Sequence, residues 1–507
     1  PMPRIGAAAD EDRVAPRNET EKKLWDVFSR NFNSEDLGVN DNFFEMGGDS
    51  LLALRIVVDV SEAFKCDVGV DTFLTHSSIE QLALHLDGSS VAPVDSSDEE
   101  DGEIGSDIGL EDLAHIDVEL APEEMPKLDA VALTYIPEVL AGLSGMARDE
   151  ISERLFQGKP MLSNTYNLDE GRIGVIMLPC YESDFYKNPE SVKAPTLAAL
   201  KMAAAAGAKN VSLTGVIPST TDHGQDIEAW ADGIENLPAI TTGDATRSAT
   251  IVKSVEGILA ESKRDITGET VTVVGLGSIG FGTLRLMLDL HEHPKHLILC
   301  DPYLTDDQMS RIRDQVRDAR FRGQVDIVKN GGALPPEVYD ASLVIASINL
   351  PGVLNIDSLK SGTLVVDYSF PPVFRLDAAI KRFSTDHDIL FTTGGELKMP
   401  GVVGETIYLP NEMDEMEDSV QSGFLKFLGS RNKNEITGCV LVSLLTELGE
   451  NVGPTLGALE NDDALAHYHY LEEIGVEPAK LQMTGFFLPE EGVAKFREKC
   501  RGNSTTS

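Results

Sequence analysis

The segment Val271-Thr-Val-Val-Gly275-Leu-Gly277-Ser-Ile-Gly280 constrains the fold of this chain more than any other. A Val/Thr strand runs into G-x-G-x-x-G, and a helical stretch follows, Thr283-Leu-Arg-Leu-Met-Leu-Asp-Leu. A second strand, His296-Leu-Ile-Leu-Cys, ends at Asp301, about 20 residues after the last glycine. The three glycines have separate reasons. Gly275 permits the tight turn, Gly277 lets the backbone approach a pyrophosphate, and Gly280 lets helix and strand pack closely. The pattern predicts a dinucleotide-binding strand–helix–strand unit, with Gly275, Gly277, Ser278, Ile279, Gly280 and Asp301 at the cofactor. A carboxylate at Asp301 would accept hydrogen bonds from a ribose 2′-OH and repel a 2′-phosphate. That favours NADH, with NADPH as the other choice. Taken alone, Asp301 also reads as an ordinary loop carboxylate.

Four further apolar runs continue the unit: Gln324-Val-Asp-Ile-Val, Ser342-Leu-Val-Ile-Ala-Ser, Thr363-Leu-Val-Val-Asp and Ile389-Leu-Phe-Thr-Thr. About six mostly parallel strands follow from them. Their C-terminal ends should line the nicotinamide crevice, which brings Ser347 and Asn349 to the cofactor and Asp367, Gly394 and Gly395 near the substrate. Upstream, Arg172-Ile-Gly-Val-Ile-Met-Leu-Pro, the Ala-rich stretch 194–206 and Asn210-Val-Ser-Leu-Thr-Gly alternate strand, helix and strand, a second α/β unit.

The other strong signal is Asp41-Asn-Phe-Phe-Glu-Met-Gly-Gly-Asp-Ser50-Leu-Leu-Ala-Leu. Helical patterns flank it: Leu24, Trp25, Val27 and Phe28 share one face, a second helix starts at Leu51, and a third covers Ser78-Ile-Glu-Gln-Leu-Ala-Leu-His-Leu. Ser50 therefore sits at a helix N-terminus, where free N–H groups and the helix dipole favour an attached phosphodiester; by position alone it also reads as an N-cap. The segment resembles the attachment site of peptidyl carrier domains of non-ribosomal peptide synthetases. The resemblance implies a 4′-phosphopantetheine arm on Ser50, a phosphopantetheinyl transferase to install it, and an adenylation or other acyl-loading enzyme, upstream or in trans, since no adenylation segment is apparent in this sequence.

Between these signals lies an acidic stretch, Asp95-Ser-Ser-Asp-Glu-Glu-Asp-Gly-Glu, in a region from Val91 to Glu124 without Lys or Arg. Such a composition cannot bury a core and repels itself into an extended state. The expected organisation is a multidomain chain. A small all-α carrier helix bundle occupies 18–88 and an acidic flexible linker 89–124. A substrate-binding α/β domain at 125–248 is followed by a Rossmann domain, a doubly wound parallel sheet, at 249–399. A C-terminal helical part at 400–500 completes the substrate domain.

The formal net charge of −42 disfavours nucleic acid and anionic membranes as partners, both being polyanions. No apolar run is long enough to span a bilayer, and no signal segment is evident, so a cytoplasmic protein is expected. The five cysteines are scattered and form no C-x-x-C pair, which signals neither a disulfide framework nor a metal site.

A carrier-held thioester beside a dinucleotide site points to reduction of that thioester. Direct hydride transfer helped by Tyr-x-x-x-Lys is disfavoured, because no tyrosine has lysine four residues on. The other route passes the acyl group to an enzyme cysteine. Cys439, in Glu435-Ile-Thr-Gly-Cys439-Val-Leu-Val-Ser-Leu-Leu-Thr-Glu, falls in the first turn of an apolar helix, where the dipole favours thiolate and Thr437 could cap. From spacing alone a buried structural thiol is the competing reading. Cys180 reads as core. His467 and His469 read as residues of an ordinary surface helix, and Asp184, Asp222 and His223 as loop polars.

Residues from about 165 to 480 resemble the cyanobacterial long-chain acyl-carrier-protein reductases, which form aldehydes. The matching pieces run in order: Leu178-Pro179, Thr241-Thr-Gly-Asp244, Gly275 to Gly280, Ala346-Ser347 through Pro351-Gly352, Asp367 with Phe370-Pro371, Gly394-Gly395, and Cys439 with Leu444-Leu445-Thr-Glu447. The resemblance implies an acyl-accepting nucleophile at Cys439, and Thr242, Asp244, Asp367, Gly394 and Gly395 as substrate or oxyanion candidates. The chain departs from that family at Cys300-Asp301-Pro302, at Asp244 where asparagine is usual, and at Phe370-Pro371-Pro372 where Tyr-Pro-Lys is usual. The expected function is NAD(P)H-dependent reduction of an acyl or aminoacyl thioester to an aldehyde through an acyl-cysteine. Dehydrogenation of the carrier-bound chain without release, and a carrier scaffold with a regulatory nucleotide-binding body, are the alternatives.

Overall fold

The computed structural model describes residues 14–32, 37–41, 56, 60, 63–64, 78–88, 115–122, 124–137, 148–301, 305–329, 334–348, 350, 352–415, 425, 428–429 and 432–500. Ser50 and Asn349 lie outside the described residues.

Near the N-terminus, helix α1 (Glu19–Phe32) buries Leu24, Val27 and Phe28. These pack with Ile56, Val60, Ile79 and Leu82, the last two from helix α2 (Ile79–Gly88). Trp25 stays at the margin of this core and donates its indole N–H to the Leu37 carbonyl at 2.8 Å. The result is a small all-α unit, as the 3.6-residue periodicity predicts.

A seven-stranded mixed sheet comes next. Its strands are β1 (Asp117–Leu120), β2 (Ala130–Ile136), β3 (Met161–Leu168), β4 (Gly171–Tyr181), β5 (Asn210–Leu213), β6 (Ala239–Thr241) and, from far downstream, a segment at Gly404–Leu409. Helix α3 (Pro189–Ala206) packs across β4 and β2 through Ala199, Leu200 and Ala203. Strand β1 departs from the expectation of a tether through residue 124. Its side chains are all exposed, yet it pairs in parallel with the Gly404–Leu409 strand. Backbone hydrogen bonding to a sheet edge needs no apolar pattern, so composition could not announce it.

Helix α4 (Asp244–Ser262) follows β6 and is buried along most of its length. It runs through the position expected to divide the two α/β domains, and packs against strands of the parallel sheet that follows and against elements of the C-terminal part. Strand β7 (Thr270–Val274), helix α5 (Ser278–Leu290), strand β8 (His296–Asp301), helix α6 (Asp306–Asp318) and strand β9 (Gln324–Lys329) form the first half of the second sheet. Strands β10 (Leu343–Ala346), β11 (Thr363–Asp367) and β12 (Ile389–Thr393), with helix α7 (Leu376–Asp386), form the other half. All six strands are parallel, in the order β12-β11-β10-β7-β8-β9. That is the doubly wound arrangement, with β10 and β11 buried throughout because helices cover both faces. The order reverses between β7 and β10, and there a crevice opens at the carboxyl ends of the strands.

The chain then returns. Strand β13 (Glu396–Lys398) pairs with strand β15 (Glu435–Thr437), while strand β14 (Gly404–Leu409) inserts between β1 and β3. Helix α8 (Gly438–Leu448) follows β15 directly and packs on β2, β4 and β5. Helix α9 (Asn461–Glu473) lies against α4 and α5.

Candidate active site

The glycine loop divides its three glycines by space. A side chain at Gly275 would lie 2.4 Å from the Ser347 carbonyl oxygen, and the residue holds φ +89, so only glycine makes this turn. A side chain at Gly280 would lie 2.0 Å from the Gly275 carbonyl oxygen and 2.6 Å from Ser347 Oγ, so helix and loop are in contact there. Gly277 has nothing within 4 Å and N-caps α5, leaving the helix N-terminus open to an anion. Ser347 follows β10, its N–H donating to the Val274 carbonyl at 2.9 Å. Its buried Oγ has no partner among the described residues, although a buried hydroxyl ordinarily has one. An open glycine, a free helix N-terminus and an orphaned hydroxyl at the switch point fit a dinucleotide. Asp301 ends β8 and is buried; its Oδ2 accepts from the Leu276 N–H at 2.7 Å, tying the loop to the second strand.

Ser278, expected at the cofactor, turns elsewhere. Its hydroxyl donates to Asp244 Oδ2 at 2.7 Å, and the Ile279 carbonyl accepts from Ser248 Oγ at 3.3 Å. Asp244 opens α4 and is only 3% exposed. Its Oδ1 accepts from Arg247 Nη1 at 3.2 Å, and His223 Nδ1 lies 3.6 Å from Oδ2. Burial works against its charge, but His223, Arg247 and Ser278 outweigh it and hold the carboxyl below its usual range. The same contact raises His223. Asp244 thus joins the nucleotide loop to a buried arginine.

Arg247 is 2% exposed. Its Nη2 donates to the Leu213 carbonyl at 2.6 Å, at the end of β5. The preceding strand residue, Ser212, donates its Oγ to the Cys439 carbonyl at 2.9 Å. Consecutive residues of β5 therefore anchor the arginine and the cysteine. On α4, Thr250 presents its Oγ1 to Gly438, where a side chain would lie 2.3 Å away, so α8 can begin here only with glycine. Arg247 lies within electrostatic range of Cys439 and of Tyr368. Its Nε has no partner among the described residues.

Cys439 is half-buried in the first turn of α8. Thr437 occupies the N-cap position without a side-chain capping bond, contrary to the cap expected of it. Its Oγ1 instead accepts from Cys439 Sγ at 3.5 Å, because the thiol competes for the same hydroxyl. Gly438 N donates to the Gly395 carbonyl at 3.0 Å, which fixes the start of α8 to the loop after β12. The other thiols in the α/β sheets differ. Burial pushes both Cys180 and Cys300 up to about 12, so both are thiols in core positions.

Several expected site residues hold the backbone instead. Asp367 is 1% exposed, and its two oxygens accept from Ser369 N at 2.8 Å and Val373 N at 2.7 Å. Burial pushes it up to about 6, and the carboxyl pins the turn after β11 rather than facing a substrate. Thr242 is buried, its N–H on the Thr455 carbonyl and its hydroxyl on the Asp244 N–H. Gly394 and Gly395 pack against Tyr368, and both N–H groups are engaged, by the Asp367 carbonyl and by Thr393 Oγ1. His467, expected on a surface helix, is 1% exposed, bonded through Nδ1 to Thr246 and pushed down to about 4 by burial. Among the described residues no grouping of His, Cys, Asp or Glu could hold a metal.

Sequence reasoning did not single out Arg247, Tyr368 or Tyr166. Arg247 stands three residues after Asp244, a helical pairing distance that was legible. Nothing in the sequence connects Tyr368 or Tyr166 with Cys439. Tyr166 on β3 hydrogen-bonds Glu405, and burial and that carboxylate raise its phenol well above its usual range. Burial, Glu435 and Glu405 together push the nearby Glu396 up to about 7.

Residues 26–86, which include Ser50, match the family described as "Phosphopantetheine attachment site". The N-terminal unit is thus similar to peptidyl carrier domains. Bacitracin synthase 2 of Bacillus licheniformis is 35% identical over 86 residues, 17% of this chain and 3% of that protein. Tyrocidine synthase 3 of Brevibacillus parabrevis is 37% identical over 83 residues, 16% of this chain and 1% of that protein. The chain therefore spans only a small part of the synthetases it matches. Among solved structures, L-tryptophan dehydrogenase from Nostoc punctiforme aligns over 75% of this chain and 90% of its own, at 13% identity and a TM-score of 0.32. A likeness of that size transfers no activity. Among the described residues no helix is long and apolar enough to cross a membrane.

Proposed function

We propose that this chain is a carrier-tethered, nicotinamide-dependent oxidoreductase that reduces an acyl or aminoacyl thioester to an aldehyde. The acyl group arrives as a thioester on the 4′-phosphopantetheine arm of Ser50, installed by a phosphopantetheinyl transferase and charged by a separate acyl-loading enzyme. Cys439 Sγ attacks the acyl carbon, the arm's sulfur leaves, and an acyl-Cys439 thioester remains. Gly275, Gly277, Gly280, Asp301 and Ser347 would hold a reduced nicotinamide cofactor, which when bound would supply hydride to that carbon. Arg247 sets positive charge near the carbonyl oxygen, where a low-dielectric surrounding strengthens it. A high effective concentration of the carrier at the thiol follows from carrying Ser50 and Cys439 in one chain.

One observation carries this reading: Asp244 bonds Ser278 of the glycine loop on one side and Arg247 on the other, and consecutive residues of β5 anchor Arg247 and the half-buried Cys439. Cys180 and Cys300, by contrast, are buried with their thiols raised.

The test uses the full chain, phosphopantetheinylated and loaded with an acyl group. NADH or NADPH is added, and products and nucleotide absorbance are followed. Aldehyde from the parent and none from Cys439→Ala is the expected result. Full aldehyde production by Cys439→Ala would remove the covalent role. Nucleotide consumed with the acyl group retained indicates a dehydrogenase acting on the bound chain. No consumption indicates a scaffold. A strong NADPH preference overturns the assignment of NADH from Asp301.

A further inference from the structure

The turn after β11 brings a second phenol to the thiol. Tyr368 is the first residue beyond that strand, and its N–H donates to the Ala346 carbonyl at 2.8 Å. The ring lies against the glycine pair: a side chain at Gly395 would meet Tyr368 Cε2 at 3.2 Å, and one at Gly394 would meet Tyr368 Cβ at 3.3 Å. The Gly395 carbonyl is the acceptor for Gly438 N, one residue before Cys439. Tyr368 thus packs on the segment that seats the cysteine helix, within electrostatic range of Cys439 and Arg247.

The hydroxyl differs from those of four other tyrosines, which the fold engages. Tyr135 accepts from Val216 N at 3.2 Å, Tyr181 donates to the Arg148 carbonyl at 2.9 Å, Tyr339 accepts from Asn355 N at 3.1 Å and Tyr468 donates to Glu256 at 2.5 Å. Among the described residues no hydrogen bond holds the Tyr368 hydroxyl. Arg247 Nε is also without a partner there. A buried unsatisfied donor on Arg247 and an unengaged hydroxyl on Tyr368, both within electrostatic range of Cys439, suit an acceptor that arrives with the substrate. Phe370, which takes the place of a tyrosine in the resemblance drawn above, is 55% exposed and away from such packing.

We propose that Tyr368 is the proton donor to the oxygen of the acyl group on Cys439, with Arg247 compensating its charge; this rests on the thioester-reductase reading. A bound reduced nicotinamide would supply hydride for a C–H bond at the acyl carbon, and the carbonyl π electrons would move to oxygen. The Tyr368 O–H bond breaks, its proton goes to that oxygen, and a hemithioacetal and a phenolate result. The phenolate then recovers the proton as the carbonyl re-forms and the C–S bond breaks. Aldehyde leaves, and Cys439 leaves as thiolate. Burial raises the phenol well above its usual range, which keeps it in the donor form before reaction.

The test is Tyr368→Phe in the loaded full chain, followed by intact mass and peptide mapping. Without cofactor, acyl-Cys439 is expected to form in parental yield, and nicotinamide affinity to stay within about twofold of the parent. With cofactor, decay of acyl-Cys439 is expected to slow on the order of 10²–10⁴-fold, the usual scale of general-acid loss. Adding Phe370→Tyr to this variant is expected to restore nothing. Parental decay in Tyr368→Phe, loss of acylation alongside decay, or rescue by Phe370→Tyr would each overturn the assignment. Absence of acyl-Cys439 from the parent itself overturns the thioester reading, and this proposal with it.

Discussion

The glycine loop and the thiol site are built in opposite ways. Ten consecutive residues, 271–280, lay out the loop, and Ser347 and Asp301 only complete it. The surroundings of Cys439 come from β5, α4, the turn after β11, the loop after β12 and β15, segments far apart in the chain. The loop is a local backbone device whose glycines are dictated by turn geometry. The thiol site is an assembly of side chains brought together by two sheets and the helix between them. Local devices tolerate change outside their own residues, while assembled sites fail when any support is removed.

That comparison can be broken most directly with the thiols. At pH 8 a thiol raised to about 12 has a thiolate fraction of about 10⁻⁴, and both side chains are buried, so Cys180 and Cys300 are expected to alkylate in the native protein more slowly than the half-buried Cys439. Residue-resolved mass mapping after a short iodoacetamide pulse reads this. Equal labelling would mean that Cys439 is no more accessible than core thiols.

The next effect concerns the assembled side. Arg247→Met leaves the Asp244 carboxylate buried without its guanidinium, a loss of about 3–5 kcal/mol. Urea unfolding of the variant measures it, and Asp244→Asn in the same background is expected to recover part of the loss. A change below about 1 kcal/mol would show that His223 and Ser278 suffice.

Two glycines test the local side. Gly280→Ala places a methyl 2.0 Å from a carbonyl oxygen, and backbone must move, at a cost of about 1–3 kcal/mol. Gly277→Ala meets nothing within 4 Å, so stability should hold while nicotinamide affinity falls, as read by fluorescence titration. Similar stability losses in both variants would contradict the division of roles.

The smallest effect is a pH slope. Burial with Glu435 and Glu405 raises Glu396 from 4.5 to about 7, so the folded chain keeps a proton that the unfolded chain releases in that window. The folded state binds more protons there, and this group's contribution to stability therefore falls as pH rises from about 4.5 to about 7. Glu396→Gln is expected to flatten that part of the Tm–pH curve. An unchanged slope would assign it to other carboxyls.

Much of the frame could be read in advance because it rests on short-range rules. Continuous apolar runs bounded by turns announced β7 through β12, and a 3.6-residue period announced α1 and α2. The readings that fail share one cause, tertiary neighbours. Asp367 looked poised at a crevice, but the folded turn folds its own N–H groups onto the carboxylate. Ser278 lay in the right place for a phosphate, yet Asp244 of a neighbouring helix takes its hydroxyl. Thr437 had the residue type of a cap and instead faces the thiol two positions on. His467 sits on a polar-looking helix that α4 covers, where Thr246 bonds its ring.

By itself the sequence determined the strand–glycine–helix unit, the parallel sheet around it and the carrier-type segment around Ser50, because backbone sterics and hydrophobic period act over a few residues. Only the tertiary structure decided that Arg247 and Tyr368 come within electrostatic range of Cys439, and that Asp244 ties Arg247 to the nucleotide loop. Those contacts depend on how α4 and α8 pack between two sheets, and packing joins residues whose separation along the chain carries no signal.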